Sequence, residues 1–489
     1  MKPLMLARDR HTKVFQFLLF LLIGLFIGVA ITLVAELPNE AFYVITIGLA
    51  LPFLTFLVKD LRRFLLVASL CTIPVHLDIN FMHSFERQAG ASTAGISITD
   101  IFILGLLLIW LIELVTRAEP YALFFSRITL PAILYVEMAA MSMLWAPRVD
   151  LAFMEVFRMV KVFMLFFILL NTIRDQRDVR LAMWALLATV AFESIIAGLQ
   201  MVRGGRLGLE FLGEAPPDPD GDAALWRVMG TLGHPNRLAT YLELLLPLSL
   251  GAFLIEKKAA LKVTSIGIFA LGLATLIMTG CRGAWVGFAV SFLIFIIFSL
   301  RNRHVKVKTI LKPVLLALLL MLMVATLFSD MLTQRFFGDD FGSAASRIPM
   351  YQIAVNVISA NPLGGVGINN YQVNMREYND SVRAMQYTTI PRPVHNMYLL
   401  VAGETGFIGF AVMILMLVSL IRILVRTAAS SSPFFALVSI CILSGVCAFC
   451  VHGLVDKHPP GGYAPFYALM ALASSSFIIN RRRHSSSHL

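Results

Sequence analysis

The stretch NMYLLVAGETGFIGFAVMILMLVSLI, residues 396–421, decides the fold class. It carries a single charged residue, Glu404. About twenty apolar residues suffice to cross a bilayer as a helix, and this run exceeds that. Working outward, apolar runs of comparable length recur at 14–35, 41–58, 64–78, 99–116, 128–145, 151–171, 180–201, 238–255, 262–280, 284–300, 311–329, 433–453 and 463–480. The reading is an all-α polytopic membrane protein with about fourteen transmembrane helices. Composition agrees: 58% of the 489 residues are hydrophobic and 14% are charged, whereas a soluble domain carries about 25% charged residues. Soluble, disordered and fibrous classes are excluded on that ground. An outer-membrane barrel is excluded because the runs are continuous rather than alternating. The basic segment MKPLMLARDRHTK precedes a first run too long for a signal core, so that run reads as a retained helix.

The charges assign the two sides. KDLRR at 59–63, RDQRDVR at 174–180, EKKAALK at 256–262, RNRHVKVK at 301–308, RILVR at 422–426 and the tail RRRH at 481–484 are short and basic. Such loops collect on the cytoplasmic side, which also explains the net charge of +11 without nucleic acid as a partner. An even number of spans puts both termini there. ELPNE, 79–98, APRVD, 202–237 and a long loop at 330–395 then face the periplasm or exterior. The chain divides into N-terminal helices at 1–201, a core at 202–421 that includes the loop 330–395, and C-terminal helices with a basic tail at 422–489.

A structureless loop of that length is improbable. SRIPMYQIAVNVISA at 346–360 has helical periodicity after a serine cap, and NPLGGVGINNY reads as a glycine-rich turn. The loop is therefore expected to be large and partly helical. It carries Arg335, Arg347, Arg376, Arg383 and Arg392 and no lysine. Arginine presents a planar fork that grips phosphate bidentately.

Candidate chemistry falls on this outer side. Arg282, in CRGAWVGF, lies at the turn between two apolar runs, where the phosphate of a lipid-linked substrate would sit. Arg347 lies at a helix start, where backbone N–H groups favour an anion. His395 lies where the long loop enters the membrane, and a neutral imidazole there can take a proton from a hydroxyl. Arg392, Asn396 and Tyr398 flank it as substrate-binding candidates. His234, Asn236 and Arg237, in GTLGHPNRLA, open another helix and are further candidates for binding. Glu404 lies deeper, an ionisable group that needs a partner; Arg158 and Lys161 are the expected ones. Gly403, Gly406 and Gly409 suit close helix packing. Asp218, Asp220 and Asp222 depart from the calcium-loop pattern, and the five cysteines show no zinc spacing. No metal is expected.

Taken in order, GTLGHPNRLA, CRGAWVGF, SRIPMY with NPLGGVGINNY, and HNMYLLVAGETGFIG resemble the O-antigen ligase and O-antigen polymerase superfamily of bacterial inner-membrane glycosyltransferases. The resemblance covers roughly 227–421. It implies a GT-C-like fold and a saccharide donor on undecaprenyl pyrophosphate. It further implies two essential arginines and one histidine, here Arg282, Arg347 and His395, with no metal or other cofactor. The acceptor would be a second lipid-linked glycan in a polymerase, or lipid A–core in a ligase. About fourteen spans exceed the twelve usual for ligases, which leans the reading towards a polymerase of O-antigen or exopolysaccharide. Inversion at the anomeric carbon would follow from a single displacement. A flippase or other transporter is the competing class, but the sequence shows no inverted repeat of the kind transporters carry.

Overall fold

The computed structural model describes residues 17, 18, 21, 22, 58–84, 90–116, 124–215, 227–302, 307–337, 347–379, 393–458 and 460–486. The spans expected at 14–35 and 41–58 lie almost wholly outside these residues. So do Asp218, Asp220, Asp222, Ser346, Arg383 and Arg392.

The described chain is helical, as its apolar runs dictate. In order it forms α1 (Leu61–Cys71), a hairpin of β1 (Asp78–His83) and β2 (Thr93–Ser97), α2 (Ile98–Thr116), α3 (Thr129–Met141), α4 (Val149–Thr172) and α5 (Gln176–Arg203). Then come α6 (Pro235–Leu245), α7 (Pro247–Ile255), α8 (Ala259–Met278), α9 (Arg282–Arg301), α10 (Val307–Leu327) and α11 (Ser329–Phe337). The remainder is α12 (Arg347–Ala360), α13 (Tyr371–Asn379), α14 (Met397–Ala428), α15 (Pro433–His452) and α16 (Ala464–Ser486). Among the described residues, eight segments are long and apolar enough to cross a membrane, with α6 and α7 together making one of them. They coincide with the expected runs at 99–116, 180–201, 238–255, 262–280, 284–300, 311–329, 396–421 and 433–453. The protein is an all-α polytopic membrane protein.

Three expectations are adjusted. The run at 64–78 yields only the eleven residues of α1. That is about 16 Å of helix, short of a bilayer core of about 30 Å. Pro74 follows closely and disfavours helix at its predecessor. The run at 128–145 is α3 followed by a 3-10 turn, Ser142–Trp145. The outer stretch 79–98 contains an antiparallel two-stranded hairpin with a bulge between Asn80 and Met82.

The two sets of connections gather separately, as their charges predict. Arg63 Nε lies 2.7 Å from Asp178 Oδ1 and Arg62 Nη1 lies 2.8 Å from Asp178 Oδ2, joining 59–63 to 174–180. Arg180 reaches Glu256 at 3.5 Å. Arg483 donates to Gln176 at 2.7 Å, and Asn302 donates to the Ala428 carbonyl at 2.7 Å. At the other end, the Arg148 amide donates to Asn370 at 2.8 Å. There Asn369 donates to the Ala91 carbonyl at 2.7 Å, and Thr231 donates to the Pro74 carbonyl at 3.0 Å.

The core is built on α15, which is buried along most of its length and packs against α6, α7, α9, α14 and α16. Helix α14 is broken at Gly406 (φ 66°, ψ −173°). Peptide groups freed by a break at membrane depth must find partners, and the glycine-rich turn at 361–370 supplies them. Phe407 N donates to the Pro362 carbonyl at 2.8 Å, Val366 N to Gly403 at 2.9 Å and Gly367 N to Glu404 at 2.9 Å. Gly406 thus accommodates a backbone clamp rather than a helix–helix contact.

Candidate active site

Four chain segments meet at one end of the bundle. The first is the start of α14. Asn396 caps it, accepting from Tyr398 N at 2.9 Å and Leu399 N at 3.0 Å. That cap holds His395 one residue outside the helix, half-buried. The second is the turn after α15, residues 453–458. It is stitched to α14 by the Met397 N–H to the Gly453 carbonyl at 2.8 Å and by Asn396 Nδ2 to the Leu454 carbonyl at 3.0 Å. The third is α12. Tyr351, one turn after Arg347, donates to the carbonyls of His395 and Leu454 at 3.3 Å each. The fourth is the start of α6, where His234 is the N-cap and Pro235 follows. Proline at the first helical position fits because its missing N–H has no intrahelical partner to lose.

Asp456 is the hub of these segments, with its side chain only 4% exposed. Its Oδ1 lies 3.6 Å from His395 Nδ1. Its Oδ2 lies 3.3 Å from His458 Nδ1 and 3.4 Å from His452 Nε2. Asn236 Nδ2 donates to Oδ2 at 3.0 Å, and the Lys457 amide donates to Oδ1 at 2.7 Å. Burial alone would raise this carboxyl. The neighbouring imidazoles of His458, His395 and His452 outweigh burial and hold it well below the usual carboxylate range. A buried anion ringed by three histidines can orient an imidazole and support its positive charge. Behind it, His452 Nδ1 lies 2.9 Å from Glu243 Oε1.

The expected residues fall into two groups. Arg282 is the first residue of α9, half-buried, beside Cys281, whose Sγ lies 3.3 Å from His452 Nε2. Arg347 is the first residue of α12, also half-buried. Both therefore stand at helix N-termini facing the same end as His395. Arg237 is exposed and lies within electrostatic reach of Arg158, Tyr463 and Asp456.

The polar atoms of the second group are engaged by the protein itself. Asn236 bridges Arg227, at 2.7 Å, to Asp456. Tyr398 donates to the Cys450 carbonyl at 2.8 Å. His234 Nδ1 accepts from the Asn236 amide at 3.1 Å. His234 is exposed on one edge, and desolvation of the rest of the ring with the nearby charges of Arg227 and Arg237 lowers it from its ordinary value. Glu404 is buried, and its backbone carbonyl accepts from Gly367 N at 2.9 Å. Of its expected partners, Arg158 pairs with Glu155 at 2.6 Å while staying within electrostatic reach of Glu404, and Lys161 pairs with Asp100 at 2.5 Å. Glu404 thus secures the glycine-rich turn to α14.

The hub itself was not anticipated. The signal available was VDKHPPGGY at 455–463, a charged, proline-rich connection between the last two helices.

These features define a polytopic membrane protein with histidine, arginine and a buried carboxylate collected at one end of a helical bundle, outside its apolar core. Residues 267–414 match a family model described as O-antigen ligase. That segment is similar to the O-antigen ligase-type domains of the O-antigen ligase and polymerase superfamily, and it holds Arg282, Arg347 and His395. The family implies a glycan-transferring enzyme acting on a lipid-linked glycan and an acceptor. No curated protein matches the chain.

Proposed function

We propose that the protein moves a saccharide from undecaprenyl pyrophosphate to an acceptor hydroxyl at the periplasmic face of the bacterial inner membrane. The observation that carries this reading is the approach of Asp456 Oδ1 to His395 Nδ1 at 3.6 Å. The carboxylate on the Nδ1 side leaves Nε2 for the acceptor hydroxyl. Separations of this kind shorten when substrate binds.

The acceptor oxygen attacks the anomeric carbon as the bond from that carbon to the pyrophosphate oxygen breaks. His395 takes the hydroxyl proton, and Asp456 supports the resulting imidazolium. Arg282 and Arg347 hold the pyrophosphate and balance its charge as it leaves. Pyrophosphate departs without protonation, so neither a general acid nor a metal is needed, and a single displacement inverts the anomeric centre. Arg237 and Lys457 add positive charge around the same end. Burial and nearby Arg237 push the Lys457 amine down to about 8, against the opposing pull of Asp456.

The acceptor we favour is a second lipid-linked glycan, which makes the enzyme a polymerase; the number of apolar runs supports this. The ligase reading, with lipid A–core as acceptor, is favoured by the printed description of the matching family. Purified protein incubated with an undecaprenyl-pyrophosphate oligosaccharide separates them. A product ladder from donor alone means a polymerase. Transfer only when lipid A–core is added means a ligase.

A further inference from the structure

Asp456 serves the proposed transfer through His395, but its clustering with Cys281 and His452 has no part in that chemistry. Cys281 is the N-cap of α9, His452 is the last residue of α15, and Asp456 lies in the turn after α15. All three are buried, and their donor atoms lie within 4.8 Å of one another. Cys281 Sγ is 3.3 Å from His452 Nε2, and His452 Nε2 is 3.4 Å from Asp456 Oδ2. Bond lengths to zinc place neighbouring tetrahedral ligands about 3.4 Å apart for N and O and about 3.6 Å apart for N and S. These two pairs are close to those spacings before any ion arrives.

The surroundings fit as well. His452 Nδ1 faces Glu243 Oε1 at 2.9 Å. A carboxylate on the far nitrogen fixes the tautomer that turns the other lone pair towards a metal. Glu243 is fully buried, and its Oε2 has no hydrogen-bond partner, as is also true of the Nδ1 atoms of His395 and His458. His395 and His458, which flank Asp456, have side chains 30% and 17% exposed. Sulfur and imidazole ligands select thiophilic cations over magnesium or calcium.

We propose that Cys281, His452 and Asp456 form an inhibitory site for a thiophilic divalent cation such as zinc. Three protein ligands leave the fourth position to water. Binding releases the thiol proton to solvent. A dication on Asp456 then opposes the positive charge that His395 must acquire, so transfer stops. The site stands on geometry alone; the inhibition rests on the transfer reading above.

The test uses the purified full-length protein, washed with EDTA and titrated with cobalt(II). One equivalent should bring up a thiolate-to-cobalt charge-transfer band. Cys281→Ser should abolish the band, and Cys71→Ser should keep it. A missing band, or one that survives Cys281→Ser, overturns the site. In parallel, saturating zinc should lower transfer at least tenfold and EDTA should restore it, while Cys281→Ser, active without metal, should need at least tenfold more zinc. The cobalt band with unchanged transfer in zinc overturns the inhibition and leaves the site. The band with no transfer in EDTA or zinc, using several donors, instead removes the transfer reading.

Discussion

His395 Nδ1 lies 3.6 Å from Asp456 Oδ1, across two segments far apart in the chain. On the proposed mechanism the carboxylate supports the imidazolium, so its removal should act on turnover rather than on donor binding. Asp456→Asn should lower kcat by about 10²–10³-fold, comparable with the loss of one charge-stabilising contact, and leave the donor KM within a few-fold. Combining it with His395→Ala should add little, because residues that act as a unit are not additive. Steady-state kinetics of the single and double variants check this.

Arg282 and Arg347 open α9 and α12, where helix N-termini reinforce their charge. Each change to alanine should cost about 3–4 kcal/mol of transition-state stabilisation. Lysine should rescue poorly, because it lacks the planar fork. Rates in membranes, with thermal unfolding as the control for folding, decide the matter.

Gly406 has φ 66° in the break of α14, and a Cβ there would meet the Leu363 carbonyl. Gly406→Ala should therefore destabilise the protein by at least the roughly 1–3 kcal/mol of a residue held in a disfavoured backbone region. It should also loosen the clamp from Glu404 to the glycine-rich turn. A lower Tm in detergent, with faster proteolysis within 361–371, is the expected readout.

Lys457 carries its charge below about pH 8 and loses it above. The positive charge we propose it lends to pyrophosphate binding is therefore present at neutral pH and fades as pH rises through about 8. The donor KM should climb across that range. Lys457→Arg, which stays charged, should flatten the profile.

Much of this was readable from the chain because it rests on local signals. Apolar runs located α14 and α15, and the serine-led periodicity of 346–360 located α12. Helix starts marked Arg282, Arg347 and His395. Asp456 was not readable, because its meaning comes from α6, α14 and α15 converging on one turn. Likewise, glycines at 403, 406 and 409 have the spacing of a packing stripe. Only the turn from Pro362 to Gly367 reveals Gly406 as a hinge in the backbone. The capping of α6 by His234 was not readable either, because it depends on the local backbone rather than on residue type.

The central claim is that His395 accepts the acceptor proton while pyrophosphate leaves. Its most direct test is release of undecaprenyl pyrophosphate from an undecaprenyl-pyrophosphate oligosaccharide by purified protein in EDTA, comparing the native chain with His395→Ala. The account predicts release coupled to a longer glycan for the native protein, and loss of at least 10²-fold for the variant. Equal release by both, or none from the native protein with several donors, would contradict it.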